Sequence, residues 1–250
     1  MYRKKYKRRK YSRKRKYNKG RVSKTIWKAS KKAAKAQVYR MSETKRLHFV
    51  NNLQGIASGT NYNITAFSPF QPFTNGLLQG NVIGNDIDVR YFEIRYMLFH
   101  NAAINFLAEP VNMRVTLLKT PTVWTLGAPN LPYIPDANIP AIFIGNPNGR
   151  LNFKFDSNLV KVISQKTINM RGETGSTNVG ITYRHGKIKL RGLKGKKTFM
   201  AGTGLNLQNS FGQVRQGQYY VVIQLFTGSN SAGNNDIKLQ YDWSMYYKDM

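Results

Sequence analysis

The last residues of the chain carry its clearest alternation of apolar and polar positions. Between positions 237 and 247 every second residue is apolar, and most of the residues between them are polar. A period of two is typical of a β-strand with one buried face. The apolar set is Ile237, Leu239, Tyr241, Trp243, Met245 and Tyr247, and the opposite set is Lys238, Gln240, Asp242 and Ser244.

Several other segments show strand patterns of different strength. Positions 219–226 (YYVVIQLF) are apolar on both faces, which predicts a strand in the middle of a sheet. Alternation also predicts long strands over 86–99 and 111–119. Weaker patterns predict strands over 46–51, 61–67, 151–155, 159–170, 182–191 and 197–201.

Turn-forming residues separate these segments, and the body of the chain shows almost no helical periodicity. About eight to ten short strands without helices favour an all-β fold. We predict an eight-stranded antiparallel jelly-roll sandwich over residues 47–250, which buries two sheets against each other. The pattern alone leaves an up-and-down barrel and an immunoglobulin-like sandwich open.

A long loop is predicted over positions 121–150. Six of the nine prolines lie there, and proline cannot donate to the ladder of a central strand. The same segment carries many large apolar side chains. Such a surface either forms an interface between subunits or covers an edge of the chain's own sheet.

Charge divides the chain into two parts. Residues 1–46 hold 21 of the 40 basic residues and one of the 11 acidic residues, so this segment carries a charge of +20 and the remaining 204 residues carry +9. A segment this charged repels itself and has too little apolar surface to offset the entropy of folding. We therefore predict a disordered basic arm over 1–46 that binds a polyanion.

The arm contains one segment with helical character. Residues 24–41 are rich in Ala, Lys and Gln, which are good helix formers, and Ser23 precedes them as a candidate N-cap. We predict a short basic helix over 24–41 that could form only on binding. KRRK and RKRK nearer the N-terminus also match a nuclear localisation signal.

Nucleic acid is the polyanion that the arm suits best. Basic clusters neutralise phosphates, and interleaved Tyr and Trp side chains can stack on unpaired bases. An arm without fixed geometry meets the backbone rather than base edges, so binding should be general and depend strongly on salt. The candidate residues are Arg3, Lys4, Lys5, Lys7, Arg8, Arg9, Lys10, Arg13, Lys14, Arg15, Lys16, Lys19, Arg21 and Trp27.

A second basic element lies in the body. Lys187, Lys189 and Arg191 alternate with Ile188 and Leu190, so a strand here would present one basic face and bury the other. This face is a second candidate for contact with phosphates, and an ordinary solvated strand face is the alternative. The basic residues continue beyond it at Lys194, Lys196 and Lys197.

No residue pattern indicates an enzyme, a metal site or a cofactor. The chain has no cysteine, and its histidines at 48, 100 and 185 are not at metal-ligand spacing. Asp86 and Asp88 could contribute to a cation site, but acidic residues before a strand are more often turn formers. GLKGKKT at 192–198 fails the spacing of a phosphate loop, and no Gly-x-Ser-x-Gly elbow is present. We expect no enzymatic activity and no cofactor.

No apolar stretch approaches the roughly 18 residues that span a bilayer. No apolar region follows the basic N-terminus as it would in a secretory signal. We therefore expect no membrane insertion.

The order of segments resembles that of one known family. QGNVIGNDIDVRYFEIR at 79–95 is similar to a segment in capsid proteins of circular Rep-encoding single-stranded DNA viruses, the circovirus-like group. VNMRVTLLKTP, KVISQKTINM, IKLRGLKGKKT and YYVVIQLF resemble the segments that follow, and the basic arm resembles the family's N-terminus. The matching positions in the first segment are Gln79, Gly80, Ile83, Gly84, Ile87, Val89, Phe92, Ile94 and Arg95.

The resemblance implies a jelly-roll subunit that self-assembles, as sixty copies in a T=1 icosahedral shell, with arms directed onto a packaged single-stranded DNA genome. It implies a location in the virion and in the host nucleus during assembly, with host nuclear import factors and a cell-surface receptor as further partners. The residues alone leave two alternatives open. One is a coat protein of a small single-stranded RNA virus of the satellite type, and the other is a cellular basic RNA-binding protein.

Overall fold

The structure is a computed structural model that describes residues 23–41, 43–55, 62–70, 72–73, 82, 84–101, 111–121, 143–144, 154–170, 181–200, 214–227 and 237–249. The chain divides into two compact units, Met1–Met41 and Ser42–Met250. Residues 1–22 of the predicted arm and most of the predicted loop 121–150 lie outside the described residues.

One α-helix, α1, spans Lys24–Met41 in the first unit. Ser23 caps it, because the Ser23 Oγ accepts a hydrogen bond from the Ile26 amide at 3.2 Å and satisfies one of the free donors of the first turn. Trp27 is 56% exposed, and the Lys31 ammonium lies 4.9 Å from the centre of its ring. Within the described residues, no helix is long and apolar enough to span a bilayer.

The second unit is built from antiparallel strands. A first sheet has the strand order β1-β11-β3-β8, with β9 also paired to β3, and a second sheet has the order β2-β10-β4-β7. A short hairpin pairs β5 with β6. The strands are β1 Lys45–Gly55, β2 Tyr62–Phe67, β3 Asp86–Asn101, β4 Val111–Thr120, β5 Phe143–Ile144, β6 Lys154–Phe155, β7 Lys161–Met170, β8 Ile181–Lys189, β9 Gly195–Thr198, β10 Gln218–Phe226 and β11 Ile237–Asp249.

The two sheets share a single apolar core. The inward side chains of β3, β8 and β11 in the first sheet and of β4 and β10 in the second belong to one cluster of buried residues. All six apolar residues of the alternating set in β11 are buried, as the sequence predicted. The all-β sandwich is therefore confirmed, and the up-and-down alternative is wrong, because neighbouring strands within both sheets are not consecutive in sequence.

Several strand boundaries differ from the predicted ones for local reasons. β7 begins at Lys161 because Asp156 forms a turn before it, in which the Asp156 carbonyl accepts from the Val160 amide at 2.9 Å. β9 ends at Thr198, and Phe199 forms an isolated bridge to Val214. β1 begins at Lys45, inside the segment predicted as the arm.

The outer faces of the two sheets differ in exposure. On the second sheet, the outward residues of β4 and β10 are also buried, and Leu118 and Val222 belong to a small apolar cluster against which Tyr62 and Phe155 pack. On the first sheet, most outward residues of β8 and β11 are exposed or half-buried. The described outer face of the first sheet is therefore more exposed than the face formed by β4 and β10.

Candidate nucleic-acid interface

The register of the first sheet gathers basic and aromatic side chains on its outer face. Lys189 of β8 pairs with Glu93 of β3, and Lys187 pairs with Arg95. On the other side of β3, Tyr91 pairs with Tyr246 of β11. Because side chains alternate along a strand, the outward neighbours form one surface. We call it the basic–aromatic face, and it consists of Arg46, Tyr91, Arg95, Lys187, Lys189 and Tyr246.

Two tyrosines form the centre of this face. The Tyr91 and Tyr246 rings stack with centroids 4.8 Å apart and planes 19° apart. The ammonium groups of Lys189 and Lys187 lie 5.3 Å and 6.0 Å from the Tyr91 centroid. The Arg46 guanidinium lies 5.8 Å from the Tyr246 centroid. Tyrosine rings flanked by cations are the combination that stacks on unpaired bases and binds their phosphates.

A buried carboxylate beneath the basic–aromatic face forms an ion pair with one of the two lysines, Lys187. Glu93 is 1% exposed, and its oxygens lie 2.5 Å from the Lys187 Nζ and 3.3 Å from the Arg95 Nε. A charge this buried needs partners, because removing it from water is costly. Lys187 is therefore partly neutralised by Glu93. Lys189 forms no ion pair with any described residue, so its charge is free to meet an anion.

The predicted site residues fall into three groups. Lys187 and Lys189 lie together on the basic–aromatic face, and Arg191 is exposed in the turn that follows β8. Trp27 is exposed on α1 in the other unit. The thirteen candidate cations between positions 3 and 21 lie outside the described residues.

The basic residues beyond Arg191 do not extend this face as a row. Lys196 pairs with Asp86 at 2.6 Å, and hydrogen bonds from Lys196 and Thr198 lower the pKa of the Asp86 carboxyl. Lys197 pairs in register with the buried Ile87 and is itself 6% exposed, so it points inward. Of the basic residues that follow Arg191, Lys197 is therefore turned towards the core by the strand alternation.

The aromatic half of the face was not predictable from the sequence. Tyr91 and Tyr246 fall in predicted strands, but their stacking depends on the pairing of β3 with β11, which are far apart in sequence. The burial of Ser244, which lies on the polar face of its strand, was not predicted either. The Arg46 Nη2 donates to the Ser244 Oγ at 3.2 Å, the His48 Nδ1 lies 2.7 Å from the same oxygen, and Ser244 is 2% exposed.

His48, His185, Asp86 and Asp88 have structural contacts. His48 lies against Ser244, and the His185 ring stacks beside Tyr183 with centroids 6.1 Å apart. Asp86 and Asp88 pair with basic side chains. In the ranges that the structure describes, no three His, Asp or Glu residues are grouped closely enough to hold a metal ion.

Comparison with solved structures finds similar chains, whereas comparison with sequence families and curated proteins does not. No family model matches the chain, and no curated protein matches it. Among solved structures, the chain is similar to one from Desmodium yellow mottle tymovirus, with 9% sequence identity and a TM-score of 0.31. The match covers 83% of this chain and 88% of that chain. A likeness this slight supports no inference about function.

Proposed function

We propose that this chain is a viral capsid protein that assembles into a closed shell and packages single-stranded DNA through its basic arm. The observation that carries the proposal is the strand order. The two sheets contain the antiparallel strand orders β1-β11-β3-β8 and β2-β10-β4-β7, with β9 added to β3 in the first sheet, and the first strand pairs with the last. We interpret this order as a jelly roll, an architecture that recurs in viral capsids.

The charge of the arm supports a packaging role. Residues 1–46 carry +20, and the T=1 shell proposed here holds sixty copies. Such a shell would enclose on the order of 1,000 positive charges, which suits neutralisation of a small single-stranded genome. The same charge opposes closure of an empty shell, so nucleic acid should promote assembly.

The basic–aromatic face supplies a second contact with the genome in this proposal. Lys189 offers an uncompensated cation, and the Tyr91–Tyr246 stack offers a platform for unpaired bases. We propose that this face of the sandwich is the side turned towards the packaged strand. The role is structural rather than enzymatic, with the host nucleus as the site of assembly and nuclear import factors as transient partners of the arm.

Removal of residues 2–41 tests the proposal. The first strand begins at Lys45, so the truncated chain retains every strand of the sandwich. We expect it to show the β-sheet circular dichroism of the full chain and to purify without nucleic acid, whereas the full chain retains nucleic acid. A truncated chain that retains as much nucleic acid as the full chain would refute the role of the arm.

Nuclease digestion of the retained nucleic acid separates the candidate genomes. Packaged single-stranded DNA is lost on treatment with DNase after release from the particle and survives RNase. Loss to RNase alone would favour a coat protein of an RNA virus. A soluble monomer that coats RNA without forming particles would favour a cellular RNA-binding protein.

A further inference from the structure

A cleft on the second sheet gathers cations away from the basic–aromatic face. It has a volume of about 490 Å³ and lies where β4 ends, β7 begins and the turn before β10 passes. Lys119, Lys161 and Arg215 line it, and none of the described residues that line it is acidic. Ser157, Asn158 and Thr120 add hydrogen-bonding groups, and Pro121, Leu159 and Val160 supply an apolar wall.

Two of these cations oppose each other across a strand pair. Lys119 of β4 and Lys161 of β7 are partners in the antiparallel register. Cross-strand partners have Cβ atoms about 5 Å apart, and like charges at that separation destabilise a sheet. Within the described part of the chain, no carboxylate lies within 4.0 Å of Lys119, Lys161 or Arg215. The repulsion therefore has no counter-charge among these residues.

A third lysine lies near Lys119 without lining the cleft. Lys197 of β9 is 6% exposed, and its ammonium lies 5.3 Å from the centre of the Tyr219 ring. The Lys119 ammonium lies 5.6 Å from the same ring. Burial and the positive charge of Lys119 lower the pKa of Lys197, and the Asp88 carboxylate opposes this shift. Lys119 therefore has a second cationic neighbour besides Lys161.

The Lys119 side chain passes over a glycine that leaves room for it. Gly217 has a φ of +112°, and a Cβ at that position would approach the Lys119 Cε to 2.8 Å. A larger residue would therefore displace the lysine stem as well as strain the backbone. Glycine at this position therefore allows Lys119 to line the cleft.

We propose that this cleft binds a phosphate dianion. A bound dianion replaces the repulsion between Lys119 and Lys161 with attraction to both, and the Arg215 guanidinium can donate two parallel hydrogen bonds to it. The volume exceeds what one phosphate fills, so the dianion could be free phosphate or the phosphate of a nucleotide whose base lies against the apolar wall. The proposal does not depend on the capsid function or on the arm.

The test compares two double variants of the full chain. The cleft variant, Lys161→Gln/Arg215→Gln, removes two cations from the cleft. The control variant, Lys166→Gln/Lys194→Gln, removes two exposed lysines that do not line it. Both have the same net charge and an unchanged arm. The measurement is the thermal unfolding temperature at constant ionic strength. Sodium phosphate replaces sodium chloride in one titration series, and deoxythymidine monophosphate replaces it in a second series.

We expect saturable stabilisation of the wild type and of the control by phosphate, and an apparent Kd at least about tenfold weaker in the cleft variant. In chloride alone, the cleft variant should melt at or above the wild-type temperature, because one like-charge pair has been removed. Tighter binding of the nucleotide than of inorganic phosphate would identify the organic phosphate as the ligand, and equal binding would identify free phosphate.

Equal stabilisation of the two double variants by both probes would overturn the proposal. A cleft variant that melts well below the wild type in chloride would contradict the repulsion on which it depends. The single variant Arg215→Gln then provides the binding test, since Arg215 lies in a turn and is exposed.

Discussion

The two lysines of the basic–aromatic face should respond differently to the same substitution. Lys187 lies 2.5 Å from the buried Glu93 carboxylate, and Lys189 forms no ion pair with a described residue. In Lys189→Gln the lost charge is one that was available to nucleic acid. In Lys187→Gln the lost charge was partly neutralised already, and a buried acceptor loses one of its two cationic partners.

Because of these differences, Lys189→Gln should have the larger effect on DNA binding, and Lys187→Gln should have the larger effect on stability. On single-stranded DNA, each neutralised phosphate contributes about 0.7 to the slope of log K against log salt, so Lys189→Gln should reduce that slope by about 0.7 and Lys187→Gln by less. For stability, Lys187→Gln should cost about 1–3 kcal/mol because Glu93 is left short of a partner. Lys189→Gln should change the unfolding free energy by less than about 0.5 kcal/mol, as exposed substitutions do.

The assays are fluorescence anisotropy of a labelled oligothymidine across a salt series and urea denaturation followed by circular dichroism. Lys194→Gln is the matched control, because Lys194 is an exposed lysine of the same segment that lies outside the face. A slope for Lys189→Gln equal to that of Lys194→Gln would refute the assignment of this face to nucleic acid. Equal stability losses in Lys187→Gln and Lys189→Gln would refute the role given to Glu93.

Three further predictions follow from other parts of the chain. Replacing Arg8, Arg9, Arg13 and Arg15 by Ala should reduce the salt slope by about 3, and an unchanged slope would exclude the arm from phosphate contact. Trp243→Ala should cost about 3–5 kcal/mol in urea denaturation, because Trp243 is 4% exposed and stacks on Phe49 at 4.9 Å, whereas Lys238→Ala should cost little. The pKa of Asp86 is lowered in the fold, so its contribution to stability is present above the ordinary pKa of 3.8 and is lost as the pH falls through the folded pKa. Lys196→Gln should raise the pKa of Asp86 in an NMR titration, because Lys196 is the main cause of the shift. An unchanged pKa would contradict that cause.

The alternation in the sequence was sufficient to predict most strands of the sandwich. β11 shows why, since six apolar residues at a spacing of two can all be buried only in a strand with one face on a core. β10 was equally clear, because an apolar run flanked by turn formers suits a strand between two others. β5 was missed, because two residues carry no periodic pattern.

The candidate site was predictable only in part, because it depends on pairings between distant segments. Lys187 and Lys189 could be placed on one strand face by alternation alone. Their position beside Tyr91, and the effect of Glu93 on only one of them, follow from the pairing of β3 with β8. The cationic cleft was not predicted at all, since Lys119, Lys161 and Arg215 come together only through the register of β4 with β7 and the turn before β10.

Electron microscopy of the purified full-length protein tests the central claim most directly, with and without nuclease treatment of the intact sample. A 204-residue domain is about 40 Å across, so sixty copies on a closed surface give a particle of about 20 nm. The account predicts uniform particles of that size that hold nucleic acid protected from nuclease until the shell is opened. Monomers or irregular complexes whose nucleic acid is fully digested in the intact sample would contradict it.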